Sequence, residues 1–195
     1  MPNSTFSLNL PEWATKLQQN LPEFMPKAED RMAAVIEFSR QNIRQETGGP
    51  FAAGIFEKES GRLVMLGVNR VMPLNCSSAH AEVMAISLAQ QKLENFDLGA
   101  PGMPEHELVV NWRPCIMCLG ALMWSGARHL TIAGSGPELE EITGFDEGFV
   151  PDDWQAQLAL RSISVTDNML TEKAVEVFYE FAKSGSHVYN ARQGS

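Results

Sequence analysis

Two short motifs hold the residues able to do chemistry. His80-Ala81-Glu82 stands at the expected start of one helix, and Pro114-Cys115-Ile116-Met117-Cys118 opens the next. Cys115 and Cys118, three apart in a first helical turn, can set two sulfurs on one cation, and the helix dipole favours their thiolates. His80 offers a third donor. Three protein ligands leave a fourth tetrahedral position for water, the arrangement of a catalytic zinc rather than a closed structural one. Zinc lowers the pKa of bound water towards ~7, so a carboxylate such as Glu82 can take a proton from that water and pass it to a substrate. Residues i and i+2 of a helix point about 200° apart, so His80 and Glu82 share a site only at the helix end.

Taken singly, each motif has a plain alternative. Cys-x-x-Cys is as readily two packed cysteines or a redox pair, and an isolated His-x-Glu means little. Their order, His-x-Glu and then Pro-Cys-x-x-Cys, each at a helix start after a strand, matches the signature of zinc-dependent nucleobase deaminases.

The elements that must position these groups can be read from hydrophobic spacing. Residues 1–28 are broken by Pro2, Pro11, Pro22 and Pro26 with apolar residues between (Phe6, Leu8, Leu10, Trp13, Leu17, Leu21, Phe24), which reads as an extension packed on the domain or, alternatively, as a partner contact. Met32, Val35, Ile36 and Ile43 follow helical spacing within 29–45, and Gly48-Gly49-Pro50 stops that helix. Phe51–Phe56 and Leu63–Val68 around the turn at 57–61 predict a β-hairpin. Ser77 and Ser78 are suited to cap a helix over about 79–93. Strand 108–112, helix 115–125 and strand 129–133 follow, then an acidic stretch and a last helix over 171–183. The order α-β-β-α-β-α-β implies a three-layer α-β-α sandwich whose mixed central sheet has parallel later strands. We therefore divide the chain into an extension (1–28), a domain (29–183) and a tail (184–195).

Composition sets the outer bounds. At 195 residues the chain is little more than one domain of ~150. Lys plus Arg is 15 against 24 for Asp plus Glu, a net charge of −9, the wrong sign for gripping a phosphate backbone. No apolar run reaches the ~18 residues of a membrane span, and residues 1–10 lack the pattern of a signal peptide. Three cysteines make a poor disulfide framework, so a reducing, cytoplasmic setting is expected.

On these residues the chain resembles the cytidine deaminase-like zinc hydrolases over about 29–183. Within that superfamily it is most similar to bacterial guanine deaminases, through Gly48-Gly-Pro-Phe-Ala52, Asn69, Ala79-His-Ala-Glu-Val83, Pro114-Cys-Ile-Met-Cys-Leu-Gly120 and Gly144-Phe-Asp-Glu147. The resemblance implies hydrolysis of guanine to xanthine and ammonia, one Zn²⁺ held by His80, Cys115 and Cys118, and Glu82 as proton shuttle. It also implies Glu147 as a second acid (Asp146 if the register differs by one), and a base pocket drawing on Asn69, Phe51, Ala81, Trp112 and Tyr189. A homodimer is implied too, with 181–190 as a lid exchanged between subunits. Physical chemistry gives Asn69 the donors and acceptor to read a heterocycle edge and Phe51 a face to stack on; a turn residue and a core residue are the alternatives.

The sequence departs from that family at Arg113, where many relatives carry Glu, at the bulky Trp112, and over Leu74-Asn75-Cys76-Ser77-Ser78. Cys76 is read as a small buried hydrophobe or as an extra metal ligand. Deamination of another aminated ring is the nearest competing expectation. Adenosine editing in transfer RNA is opposed by the charge, and a non-catalytic zinc module would need Cys76 as its fourth ligand.

Overall fold

Two apolar runs on either side of a tight turn pair as antiparallel strands, β1 (Ala52–Glu57) and β2 (Leu63–Val68), with a bulge between Ile55 and Phe56. The computed structural model describes residues 7–190, so Phe6 and residues 191–195 of the tail lie outside the described residues. On its other side β1 pairs antiparallel with β3 (His106–Val110), which is parallel to β4 (His129–Ile132), itself parallel to β5 (Ser164–Thr166). The sheet order is β2-β1-β3-β4-β5. The last three strands run parallel because helical crossovers, α5 (Ile116–Ser125) and α7 (Trp154–Ala159), return the chain to the same end of the sheet.

The sheet lies between two helical layers. On one face α4 (Ala81–Leu93) and α5 bury Ala85, Ile86, Leu119 and Leu122 against Ile55, Leu108 and Leu130. On the other, α2 (Ala28–Arg44) and α8 (Thr171–Ser184) bury Met32, Phe38, Phe178 and Phe181. Within the N-terminal extension α1 (Glu12–Gln19) lays Ala14, Trp13 and Leu17 on this second core. The short helices α3 (Val71–Leu74) and α6 (Glu138–Thr143) fill loops on the same side as the catalytic motifs. No helix among the described residues is long and apolar enough to cross a membrane.

Several local expectations are corrected. Ser77 and Ser78 do not cap α4: the extended residue at its start is His80, and α3 with the left-handed Asn75 takes up the intervening chain. β3 begins at His106, two residues before the expected start, and the extra residues are wholly buried. The fully buried Glu107 is tolerated there because Arg31 Nε stands 3.0 Å and Lys58 Nζ 2.7 Å from its carboxylate, while the Thr131 hydroxyl donates to it at 2.6 Å. β5 was not anticipated, since a three-residue edge strand exposed on alternate residues leaves no apolar run to read.

One glycine places the first motif. A Cβ on Gly67 of β2 would come within 2.5 Å of the Ala81 carbonyl and the Ala85 amide. Only glycine lets the first turns of α4 lie directly on the sheet.

Candidate active site

β2, β3 and β4 point the same way, so their carboxyl ends share one edge of the sheet. Asn69 follows β2, the Trp112-Arg113-Pro114-Cys115 turn follows β3, and the N-termini of α4 and α5 converge above them. His80 and Cys115 each occupy the extended residue that precedes its helix, and Glu82 and Cys118 lie in the first turns behind them. Because His80 lies outside the helical spiral, both side chains reach the same spot from the helix end.

Nδ1 of His80 lies 3.7 Å from Sγ of Cys115, and the donors of His80, Cys115 and Cys118 all stand within 4.8 Å of one another. Ligands on a tetrahedron with ~2.3 Å bonds are about 3.8 Å apart, so this set fits zinc. Among the described residues it is the one group of three or more such side chains with metal-binding spacing. Cys76 is not part of it. Nor is Cys76 buried in the core: it is half-exposed in the loop before α4, with its sulfur 3.2 Å from the Ser78 hydroxyl.

The three donors and the nearby acids shift one another's proton affinities. Hydrogen bonding with Cys118, and then with His80, pulls the Cys115 thiol down to about 4 against the effect of burial. Its bond to Cys115 and its burial push the Cys118 thiol well up. Burial opposes a charged His80, but the bond to Cys115 and the charges of Glu82 and Cys115 lift it to about 9. At pH 7 Cys115 is therefore already a thiolate while His80 and Cys118 still hold protons. Zinc uptake should expel those protons, and apparent affinity should rise as pH climbs from 7 towards 9; proton release during zinc titration in weak buffer checks the sign. Cys118→Ser is expected to cut metal content at least tenfold by atomic absorption.

Beside the donors lies a cavity of about 320 Å³, room for one bicyclic base. Glu82, Glu147, Asn69, Phe51, Trp112 and Tyr189 all line it. Ala81 is not among the lining residues: its side chain is fully buried in the core cluster beneath α4. Trp112 is mostly core, stacked edge-on against Phe178 at 5.0 Å, with its indole N–H donating to the Gly136 carbonyl, so only an edge of the ring reaches the cavity. Both acids of the Gly-Phe-Asp-Glu motif face the space, but Asp146 is engaged locally, accepting from the Gly148 amide at 2.8 Å. Burial, with the negative charges of Cys115 and Glu82 nearby, pushes the Glu147 carboxyl up to about 8. Glu82, buried among the same charges, is raised as well.

Sequence reasoning passed over Phe145 and Asn190. Phe145 touches Phe51 and Tyr189 edge-on at 5.1 and 5.0 Å, completing an aromatic wall. Its signal lay in the Gly-Phe-Asp-Glu motif, where only the acids drew notice. Asn190 donates to the Gly144 carbonyl at 2.9 Å and accepts from the Asp146 amide at 3.0 Å. These bonds tie the segment after α8 to the residues that line the cavity, with the Tyr189 hydroxyl accepting from the Asn69 side-chain amide. Arg113 also lines the cavity, adding one cation to its acids.

Residues 25–133 match the family model described as the cytidine and deoxycytidylate deaminase zinc-binding region, and the chain belongs to that family of zinc deaminases. It is 32% identical over 132 residues to the guanine deaminase of Bacillus subtilis, covering 68% of this chain and 80% of the relative. A solved guanine deaminase from Nitrosomonas europaea is 43% identical, with a TM-score of 0.88 over 94% of this chain and 99% of that one. Another solved protein, captured with 2,6-diaminopurine, is 44% identical, with a TM-score of 0.87 over 96% and 97% of the two chains.

Proposed function

We propose that this protein is a guanine deaminase, converting guanine and water to xanthine and ammonia. The observation that carries the reading is the meeting of two acids, Glu82 and Glu147, with the three metal donors at a cavity sized for one base. In the overall reaction a C–O bond forms and the C–N bond to the amino group breaks at one ring carbon. His80, Cys115 and Cys118 would hold zinc, whose contribution would be to make water a nucleophile near neutral pH. Glu82 takes the proton that water must lose and hands it to the ring nitrogen next to the attacked carbon. Glu147, whose carboxyl is raised to about 8 chiefly by burial, is suited to protonate the departing amine and to regain that proton from the second O–H of the added water as the carbonyl forms.

Asn69 presents its amide to the base edge, Phe51 and Phe145 hold the ring faces, and Tyr189 closes the mouth so that bulk water is kept out. The test is ammonia release from guanine, guanosine, adenine, cytosine, cytidine and an aminotriazine by the zinc-loaded protein. Guanine is expected to lead by at least tenfold. Silence on guanine with release from another base would overturn the substrate and keep the chemistry. A net charge of −9 opposes a transfer-RNA substrate, so a low-salt gel shift with transfer RNA should show no complex.

We read residues 29–183 as the catalytic domain and the cytoplasm as its setting. We also read the protein as a homodimer, because α5 leaves Ile116 and Met117 half-exposed and Trp124 89% exposed, an apolar face with the character of an interface. Trp124→Glu is expected to halve the mass seen by light scattering; an unchanged mass would place the contact elsewhere.

A further inference from the structure

We infer that Asn42, a residue outside the cavity, positions the base-reading Asn69 and couples it through Thr47 to Trp13 of the N-terminal extension. The side chain of Asn42, at the last turn of α2, is fully buried. Its Nδ2 donates twice, to the Gly49 carbonyl at 2.9 Å and to the Asn69 carbonyl at 3.0 Å. These carbonyls belong to the two segments that carry the ring-facing Phe51 and the reading side-chain amide, and the backbone N–H of Asn69 donates to the Phe51 carbonyl at 3.0 Å to join them directly. One buried amide group therefore sets the spacing of two cavity walls.

The approach is close enough to require glycine at Gly48, where a Cβ would fall 2.0 Å from the Asn69 carbonyl oxygen and 2.6 Å from Nδ2 of Asn42. The other end of the amide is fixed too. The Thr47 hydroxyl donates to Oδ1 of Asn42 at 2.8 Å and accepts from the Trp13 indole at 2.9 Å. Arg70, next after Asn69, donates to the Thr47 carbonyl at 2.9 Å. Six polar contacts thus link α1 to the segments that carry Phe51 and Asn69, and none of them touches the metal donors or Glu82. The orientation of Asn42 is fixed by its partners: two carbonyls demand the NH₂ group, and a hydroxyl donor demands the oxygen. Asn42→Asp, nearly isosteric, would set a carboxylate oxygen against two carbonyls.

The inference rests on Asn69 reading the base. Its test is steady-state kinetics of the zinc-loaded full chain on guanine, with Asn42→Asp, Asn69→Ala and Trp13→Phe made singly and the first and third also in the Asn69→Ala background. Asn42→Asp is expected to raise KM at least tenfold while kcat stays within about threefold and zinc content is unchanged. Trp13→Phe, which keeps the ring against Phe38 and removes only the indole donor, is expected to raise KM about threefold. In the Asn69→Ala background both effects should shrink below twofold, since the side chain whose placement they report is gone and only the Phe51 wall is left to hold. Full additivity in that background would overturn the inference alone, because it is what a general loss of fold integrity would give. An unchanged KM in Asn69→Ala itself would remove the base reader, and this inference with it. Where Asn42→Asp fails to fold, Trp13→Phe decides, and an unchanged KM there would overturn the coupling.

Discussion

Glu82→Gln is expected to lower kcat on guanine about a thousandfold while zinc stays at one per chain and KM moves less than threefold. The size follows from general acid–base catalysis, for which a positioned carboxyl contributes roughly 10²–10⁴. The selectivity follows from placement: Glu82 lies in the first turn of α4, two residues after His80, and is not among the three donors. Glutamine keeps the shape and loses the titrating proton. Because burial already raises the Glu82 carboxyl, a neutral amide there should leave the melting temperature equal or higher. Single-turnover kinetics, metal analysis and a melt on the same preparation check all three. Retention of more than a tenth of the activity would show that another group moves the proton, and loss of zinc would make Glu82 part of the metal site.

The second large effect concerns stability. Arg31 is 3% exposed and Glu107 fully buried, and Arg31 also donates to the carbonyls of Met25 and Pro26 at 2.9 and 3.0 Å. Its Nε is within 3.0 Å of the carboxylate without pointing at it, so this contact is between charges rather than a hydrogen bond. Arg31→Met leaves the Glu107 charge with only Lys58 and should cost about 3–5 kcal/mol, as removing one partner of a buried pair does. In a chain of this length that is roughly a 10 °C fall in melting temperature. Adding Glu107→Gln should recover more than half, because the penalty is the stranded charge and not the missing guanidinium. A single-variant loss under about 1 kcal/mol would mean that water or Lys58 already compensates Glu107.

The motifs were legible because their chemistry requires particular residue types at particular spacings. His80, Cys115 and Cys118 converge as read, and the elements read from apolar spacing occur in the order expected, with α1, α3, α6, α7 and β5 added between or around them. What stayed hidden was decided by tertiary partners. β3 looked too polar at its start because Arg31, some seventy-five residues earlier, neutralises Glu107. Ser77 and Ser78 have good capping chemistry, but the turn geometry after α3 puts His80 at the helix start instead. Ala81 lies within the His-Ala-Glu motif, yet the helical spiral turns its methyl into the core. Phe145 packs edge-on against Phe51, almost a hundred positions away, a relation with no local trace. The partners of Asn42 belong to the same class: an asparagine near a helix end reads as a surface residue until the loops it spans are seen.

The buried Glu107 also bears on strand alignment. Side chains alternate across a strand, so sliding β3 by one residue would swing this carboxylate to the opposite face of the sheet, away from Arg31 and Lys58. Only one alignment of β3 against β1 and β4 satisfies the charge. That alignment fixes where the strand ends, and eight residues beyond Glu107 the chain reaches Cys115. A slip of one residue moves a strand by about 3.3 Å, more than the ~2.3 Å length of a zinc–sulfur bond. The ion pair in the middle of the sheet thus acts as a gauge, measuring out the chain so that a sulfur arrives where the metal needs it.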